Sequence, residues 1–380
     1  MIQPLRLGVL LAAIATSAAG AVAPSAAGAP SRFGHIAFID HVRVSGGDVR
    51  SLAVTRSGMR HWLALGQEYY SLAPGASKAT RRVLHVDKSF EGSTPELAEI
   101  VPSVDGRRID VVSANCSSMQ VFQVGQNRRM PPEITPSQNV ASSSCNGPNL
   151  TSVISAVGLA HNRVAVVVAD DPSGTSYGRP ALYIGRPGQQ FRHVTLPNTG
   201  DGQYFAFATI TRDPHDGALY VAAISGRDLR IWYARTSHRP FRELPSSDAH
   251  FSLRYLESIA ASHGAVWLSF SGARNHRGIT LLHRSPAGHW SHLMTIPHST
   301  RQLAYVLVAA GPKRSKQPRF WEANTVVRRS NGLLANEGVD LRRLTSQIGR
   351  VHHYTQRRRD RLEGLAVGWH GQHVVGHQVY

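Results

Sequence analysis

A unit of about 50 residues recurs along this chain, and it constrains the fold more than any other feature. Each unit opens with an apolar strand and a turn carrying Gly, Asn or Asp. A second strand follows, rich in Val, Trp and Tyr. A third strand, a polar turn and a fourth strand complete the unit, and the fourth often ends in Leu-Pro or Ile-Pro. The clearest copies are consecutive. The first has apolar runs at 153–157, 164–168, 181–184 and 191–196, the next at 207–210, 218–222, 229–233 and 241–245, and the third at 258–261, 265–270, 279–282 and 290–297. Fainter copies open at Leu52 with Trp62, at Ile100 with Val111, and at Val306 with Phe320. Apolar residues alternate or come in short runs between turn residues, so the body reads as strands rather than helices.

Units of four short strands at this period predict an all-β fold, a β-propeller of about seven four-stranded blades, with six as the other count. The chain ends on half a unit, at 365–367 and 373–376. Ring closure then needs strands from both termini. Segments 35–39 and 42–44 are expected to complete the last blade, placing the stretch from His35 to Val44 beside Val374. A large β-sandwich or two smaller β domains is the competing architecture. No linker rich in Pro, Gly or Ser divides residues 33–380, which are read as one domain.

The first 29 residues read as a signal peptide. Arg6 supplies the positive start, residues 7–23 are apolar and small, and small-x-small patterns follow at Ala19-Gly20-Ala21 and Ala27-Gly28-Ala29. A membrane anchor is the rival reading, weakened by the modest hydrophobicity of Ala, Gly, Ser and Thr. No later segment is long and apolar enough to span a bilayer. The expected protein starts near Pro30 and is secreted or resides on the envelope side. Two cysteines follow, Cys116 and Cys145. An exported chain favours a disulfide between them, worth roughly 3 kcal/mol for a loop of about 30 residues. Two buried free thiols are the alternative.

Lys and Arg number 42 against 24 Asp and Glu, a formal charge of +18. The excess is nearly all Arg and is scattered, with one cluster at Arg357-Arg358-Arg359 and Arg361. Attraction to polyanions is one explanation; compositional drift that raises Arg, Ala and Gly together is the other. No nucleic-acid motif appears, so no specific nucleic-acid partner is expected. None of the 20 histidines stands at zinc-ligand spacing; His352-His353 is the adjacent pair, and Asp170-Asp171 the weak alternative for a cation. No metal and no cofactor is expected.

The turn Arg284-Ser285-Pro286-Ala287-Gly288-His289-Trp290 resembles the Asp-box of sialidase-type propellers, Ser-x-Asp-x-Gly-x-x-Trp. Ser285, Gly288 and Trp290 match. The Asp is missing, and Gly and Trp stand one residue closer. Turns ending in Phe191 and Phe241 occupy the same place. The likeness covers residues 152–297 and implies a hairpin turn whose aromatic packs between blades. In that family, three arginines hold the substrate carboxylate, a Tyr assisted by a Glu is the nucleophile, and an Asp is the acid/base. All face the central depression. The family's Arg-Ile-Pro start is absent here.

Residues near the starts of inner strands are therefore the candidates. Glu257 and Glu363 share a blade position, and Tyr305 lies nearby; these are the weak catalytic candidates. Arg50, Arg254, Arg301, Arg361 and Glu99 are the ligand-binding candidates, the arginines because guanidinium forks pair with carboxylates. Capping of a solvated rim explains the same residues without any ligand. The leading expectation is a propeller binding a glycan or an extracellular protein at its central face. A sialidase-type glycoside hydrolase acting on an acidic sugar is the alternative, and a structural envelope protein the third.

Overall fold

The computed structural model describes residues 36–38, 51–63, 68–76, 78–84, 96–114, 119–125, 155–170, 179–199, 207–225, 228–245, 255–271, 278–291, 294–297, 307–310, 320–330, 333–344, 348–355, 360–367 and 373–379. These residues form strands, bridges and turns, with no helix among them. Residues 1–29, read above as a signal peptide, and Cys116 and Cys145, the expected disulfide partners, lie outside them.

The described strands gather into seven sheets, five of four strands and two of three. The first described strand, β1 (Ile36–Phe38), belongs to the last sheet. The first meander is then β2 (Ser51–Val54), β3 (Arg60–Leu63), β4 (Glu68–Leu72) and β5 (Thr80–Val83). Three strands follow, β6 (Glu96–Pro102), β7 (Ile109–Ala114) and β8 (Met119–Gln123). The next sheet holds β9 (Ser155–Leu159), β10 (Arg163–Asp170), β11 (Arg179–Gly185) and β12 (Arg192–Val194). Then come β13 (Phe207–Arg212), β14 (Leu219–Ser225), β15 (Asp228–Ala234) and β16 (Arg242–Glu243). The fifth sheet is β17 (Tyr255–Ser262), β18 (Ala265–Ser271), β19 (Gly278–Arg284) and β20 (Met294–Pro297). The sixth is β21 (Leu307–Ala310), β22 (Phe320–Ser330), β23 (Leu333–Leu344) and β24 (Ile348–Thr355). The last unites β25 (Asp360–Val367) and β26 (His373–Val379) with β1.

Within each meander, neighbours in sequence are neighbours in the sheet, and all pair antiparallel. The first strands lie side by side in chain order, from β2 through β6, β9, β13, β17 and β21 to β25, and β25 also lies beside β2.

Burial explains the stacking. A sheet apolar on both faces has to be covered on both. In β14 every residue from Leu219 to Ile224 is buried. Leu219, Val221 and Ala223 pack toward the preceding sheet, with Val167, Leu182 and Ile184. Tyr220, Ala222 and Ile224 pack toward the following one, with Ile259, Val266 and Leu268. The core is thus a series of seams between sheets, and each described seam repeats this alternation.

Polar contacts cross the same seams. Trp232 Nε1 donates to the Pro197 carbonyl at 2.8 Å, and Trp290 Nε1 to the Pro245 carbonyl at 3.1 Å. This gives the recurrent Leu-Pro ending a physical role, as an acceptor for an indole of the next unit. Asp213, fully buried, bridges two turns: its carboxylate accepts the His215 N–H and, across the seam, the Gly264 N–H, each at 2.8 Å. The Ser285–Trp290 turn keeps its geometry without the Asp-box aspartate. The Gly288 N–H donates to the Ser285 carbonyl at 2.9 Å, the His289 N–H to Ser285 Oγ at 3.1 Å, and Gly288 adopts φ +93°.

In the last sheet, β1 pairs with β26 in parallel, Ala37 opposite Val374. The direction has a topological reason. In a four-stranded meander the fourth strand runs parallel to the second, and it delivers the chain to the next first strand. β1 has that sense and leads to β2, but it sits directly beside the second strand of its sheet. Residues 42–44 lie outside the described residues.

Candidate ligand-binding face

Three first strands carry the same irregularity near their starts. The pairing of β6 with β7 slips between Leu97 and Glu99, that of β17 with β18 between Leu256 and Ser258, and that of β25 with β26 between Leu362 and Gly364. Each strand holds one extra residue there: Ala98, Glu257 and Glu363. A bulge bends its strand, sharpens the local twist and redirects the side chain at that point. Glu257 and Glu363 therefore share a backbone position as well as a place in the repeat.

Glu99 stands one residue further along, at the position of Ser258 and Gly364. Its carboxylate accepts a hydrogen bond from Ser51 Oγ at 2.7 Å, and Ser51 Oγ in turn accepts the Ile100 N–H at 3.0 Å. Two sheets further on the device recurs. Ser155 Oγ lies 3.2 Å from Thr209 Oγ1 and accepts the Ile210 N–H at 3.2 Å. Glu99 and Thr209 thus hold equivalent places beside a serine that ties one first strand to the next. Glu99 adds to that tie a formal negative charge at the strand-start level.

Arg361 falls in β25, placed by its register opposite Gln378. Arg50, Arg254, Arg301 and Tyr305 lie outside the described residues, as do Asp171 and Arg357–Arg359. Asp170 ends β10, and His352 and His353 fall in β24. Among the described residues, no three His, Cys, Asp or Glu side chains gather as a metal site. Among the described residues, no helix is long and apolar enough to cross a membrane.

The opposite end of the first strands carries features that the repeat alone does not flag. The turn after β2 and the turn after β6 interlock, with the Arg56 N–H donating to the Gly106 carbonyl at 2.6 Å. Between them lies a recess of about 430 Å³ lined by Arg56, Ser57, Gly106 and Arg107. Asp105 stands beside it; the Ser103 hydroxyl, the Arg107 N–H and the charges of Arg108 and Arg107 hold its carboxyl below the usual range. The sequence signal is an arginine within or just after a Gly-containing turn, as in Thr55-Arg56-Ser57-Gly58 and Asp105-Gly106-Arg107.

No protein family matches this chain, and no curated protein does. Solved structures do. The WD40 repeats of RRP9 superpose with a TM-score of 0.52 at 10% identity, over 87% of this chain and 86% of that one. The BP39L lectin from Burkholderia pseudomallei gives 0.51 at 12% identity, over 79% and 83%. A GH74 xyloglucanase from Xanthomonas campestris gives 0.50 at 13% identity, over 82% of this chain and 45% of the enzyme. At such identities the likeness is one of fold, and the fold is a β-propeller.

Proposed function

We propose that this chain is an exported, seven-bladed propeller that binds a ligand, a glycan or an extracellular protein, on the face where its first strands begin. The seven sheets are its blades. The contact between β25 and β2 and the pairing of β1 with β26 support closure by both termini. The observation that carries the binding face is the triple bulge, which sets Glu257 and Glu363 at matched positions with Ala98. Bulges concentrate where a strand must re-aim a side chain, and they are enriched beside binding sites. The lectin and WD40 structures share the fold, and a fold alone assigns no ligand.

The test is binding of the chain beginning at Pro30 to a glycan array and to extracellular protein extracts at physiological salt, beside the Glu257→Gln/Glu363→Gln variant. Selective binding that the variant loses supports this face. Binding that vanishes at moderate salt and ignores the identity of the ligand would reduce it to attraction by the +18 charge. N-terminal sequencing of the protein recovered outside the cell tests export, with a start near Pro30 expected.

A further inference from the structure

At the other end of the third blade, three arginines share one sheet face. The face follows from register. Ala165 pairs with Ile184, and Ile184 with Arg192. Ala165, Val167, Leu182 and Ile184 are buried in the seam with the following blade, and Val194 packs against it. Residues two apart on a strand point the same way. Arg163 precedes Ala165 by two, Arg192 precedes Val194 by two, and Arg186 follows Ile184 by two, just past β11. All three belong to the face turned toward the β13–β16 blade. Arg163 shows it directly: its Nη2 donates to Ser237 Oγ, in a turn of that blade, at 2.8 Å.

Like charges on neighbouring strands repel. Burial, and then the charges of Arg186 and Arg192, lower the proton affinity of Arg163. Among the described residues none of the three forms an ion pair. Glu243, a carboxylate of the next blade, is engaged by Arg230 at 3.5 Å and by the Asn198 amide at 2.7 Å. Arg163 is half-buried, while Arg186 and Arg192 are exposed. Three guanidinium forks around one seam, beside a serine hydroxyl, match the several acceptor oxygens of a tetrahedral anion.

We propose that Arg163, Arg186 and Arg192 form a seat for a tetrahedral oxyanion, the phosphate or sulfate group of an anionic ligand, at the seam between the third and fourth blades. This seat does not depend on the reading of the central face.

Isothermal titration of the chain beginning at Pro30 with sodium phosphate, and separately with sodium sulfate, at ionic strength held constant with chloride, tests it. The comparison is the Arg186→Ala/Arg192→Ala variant, whose changes are confined to exposed side chains and whose melting temperature checks its fold. One saturable site is expected, weakened at least tenfold in the variant. Tighter phosphate identifies a phosphorylated source, and tighter sulfate a sulfated one. Saturation by neither ion, or native affinity in the variant, overturns the proposal.

Discussion

Two buried titratable side chains set opposed pH dependences. Asp110 is 1% exposed, and one carboxylate oxygen has no hydrogen-bond partner among the described residues. Burial pushes its carboxyl up to about 7, with Arg108 pulling part of the way back. His61, hydrogen-bonded to Tyr69, is pushed down to about 4 by burial. Between pH 4 and 7 the native Asp110 keeps a proton that the unfolded chain releases, so its contribution to stability falls as pH rises. Between pH 4 and 6.5 the unfolded His61 takes a proton that the native one refuses, so its contribution rises with pH. Each shift corresponds to up to about 3–4 kcal/mol, and the two nearly cancel. The Asp110→Asn variant removes the first and exposes the second. Urea unfolding at several pH values should then show stability climbing from pH 4 to 6.5, with the variant more stable than the native protein at pH 8. Parallel curves for the two proteins would refute this account.

At the level of strands and turns, Gly158 marks a close approach between neighbouring blades. A Cβ there would stand 2.3 Å from the Pro102 carbonyl oxygen of the preceding first strand, and backbone cannot swing aside. Gly158→Ala should cost about 1–3 kcal/mol, the usual range for overpacking, read as a lower urea midpoint at unchanged slope. The same strands separate what the chain's alternation reveals from what it hides. The runs at 164–168, 218–222 and 265–270 read as second strands, and they are, with every residue of the three runs buried. Their partners could be named because each meander pairs neighbours in sequence. The bulges could not be read, since an extra residue looks like any other until a partner strand counts against it. Glu99 looked like Glu257 in the repeat, and only register moves it one place along. The arginine seat was hidden for a related reason: Arg163, Arg186 and Arg192 are scattered in sequence and meet only through three strands in register.

Across the whole molecule, the pairing of β1 with β26 is the feature with the largest reach. Without β1, the last sheet keeps β25 and β26 among the described strands, and an isolated hairpin is marginal in water. A chain beginning at Ser51 should melt roughly 2–6 °C below one beginning at Pro30, by circular dichroism; equal melting temperatures would show that β1 adds nothing to the ring. The seams that such a ring relies on have one further property. Several of their polar ties end on main-chain carbonyls, those of Pro197, Pro245, Gly106 and Val121. A carbonyl is present whatever side chain the residue carries. An ancestral blade could therefore be copied, and its copies could diverge almost without limit in identity, while the ties between them persisted. That tolerance suits a scaffold whose shape still superposes on propellers with which it shares about one residue in ten.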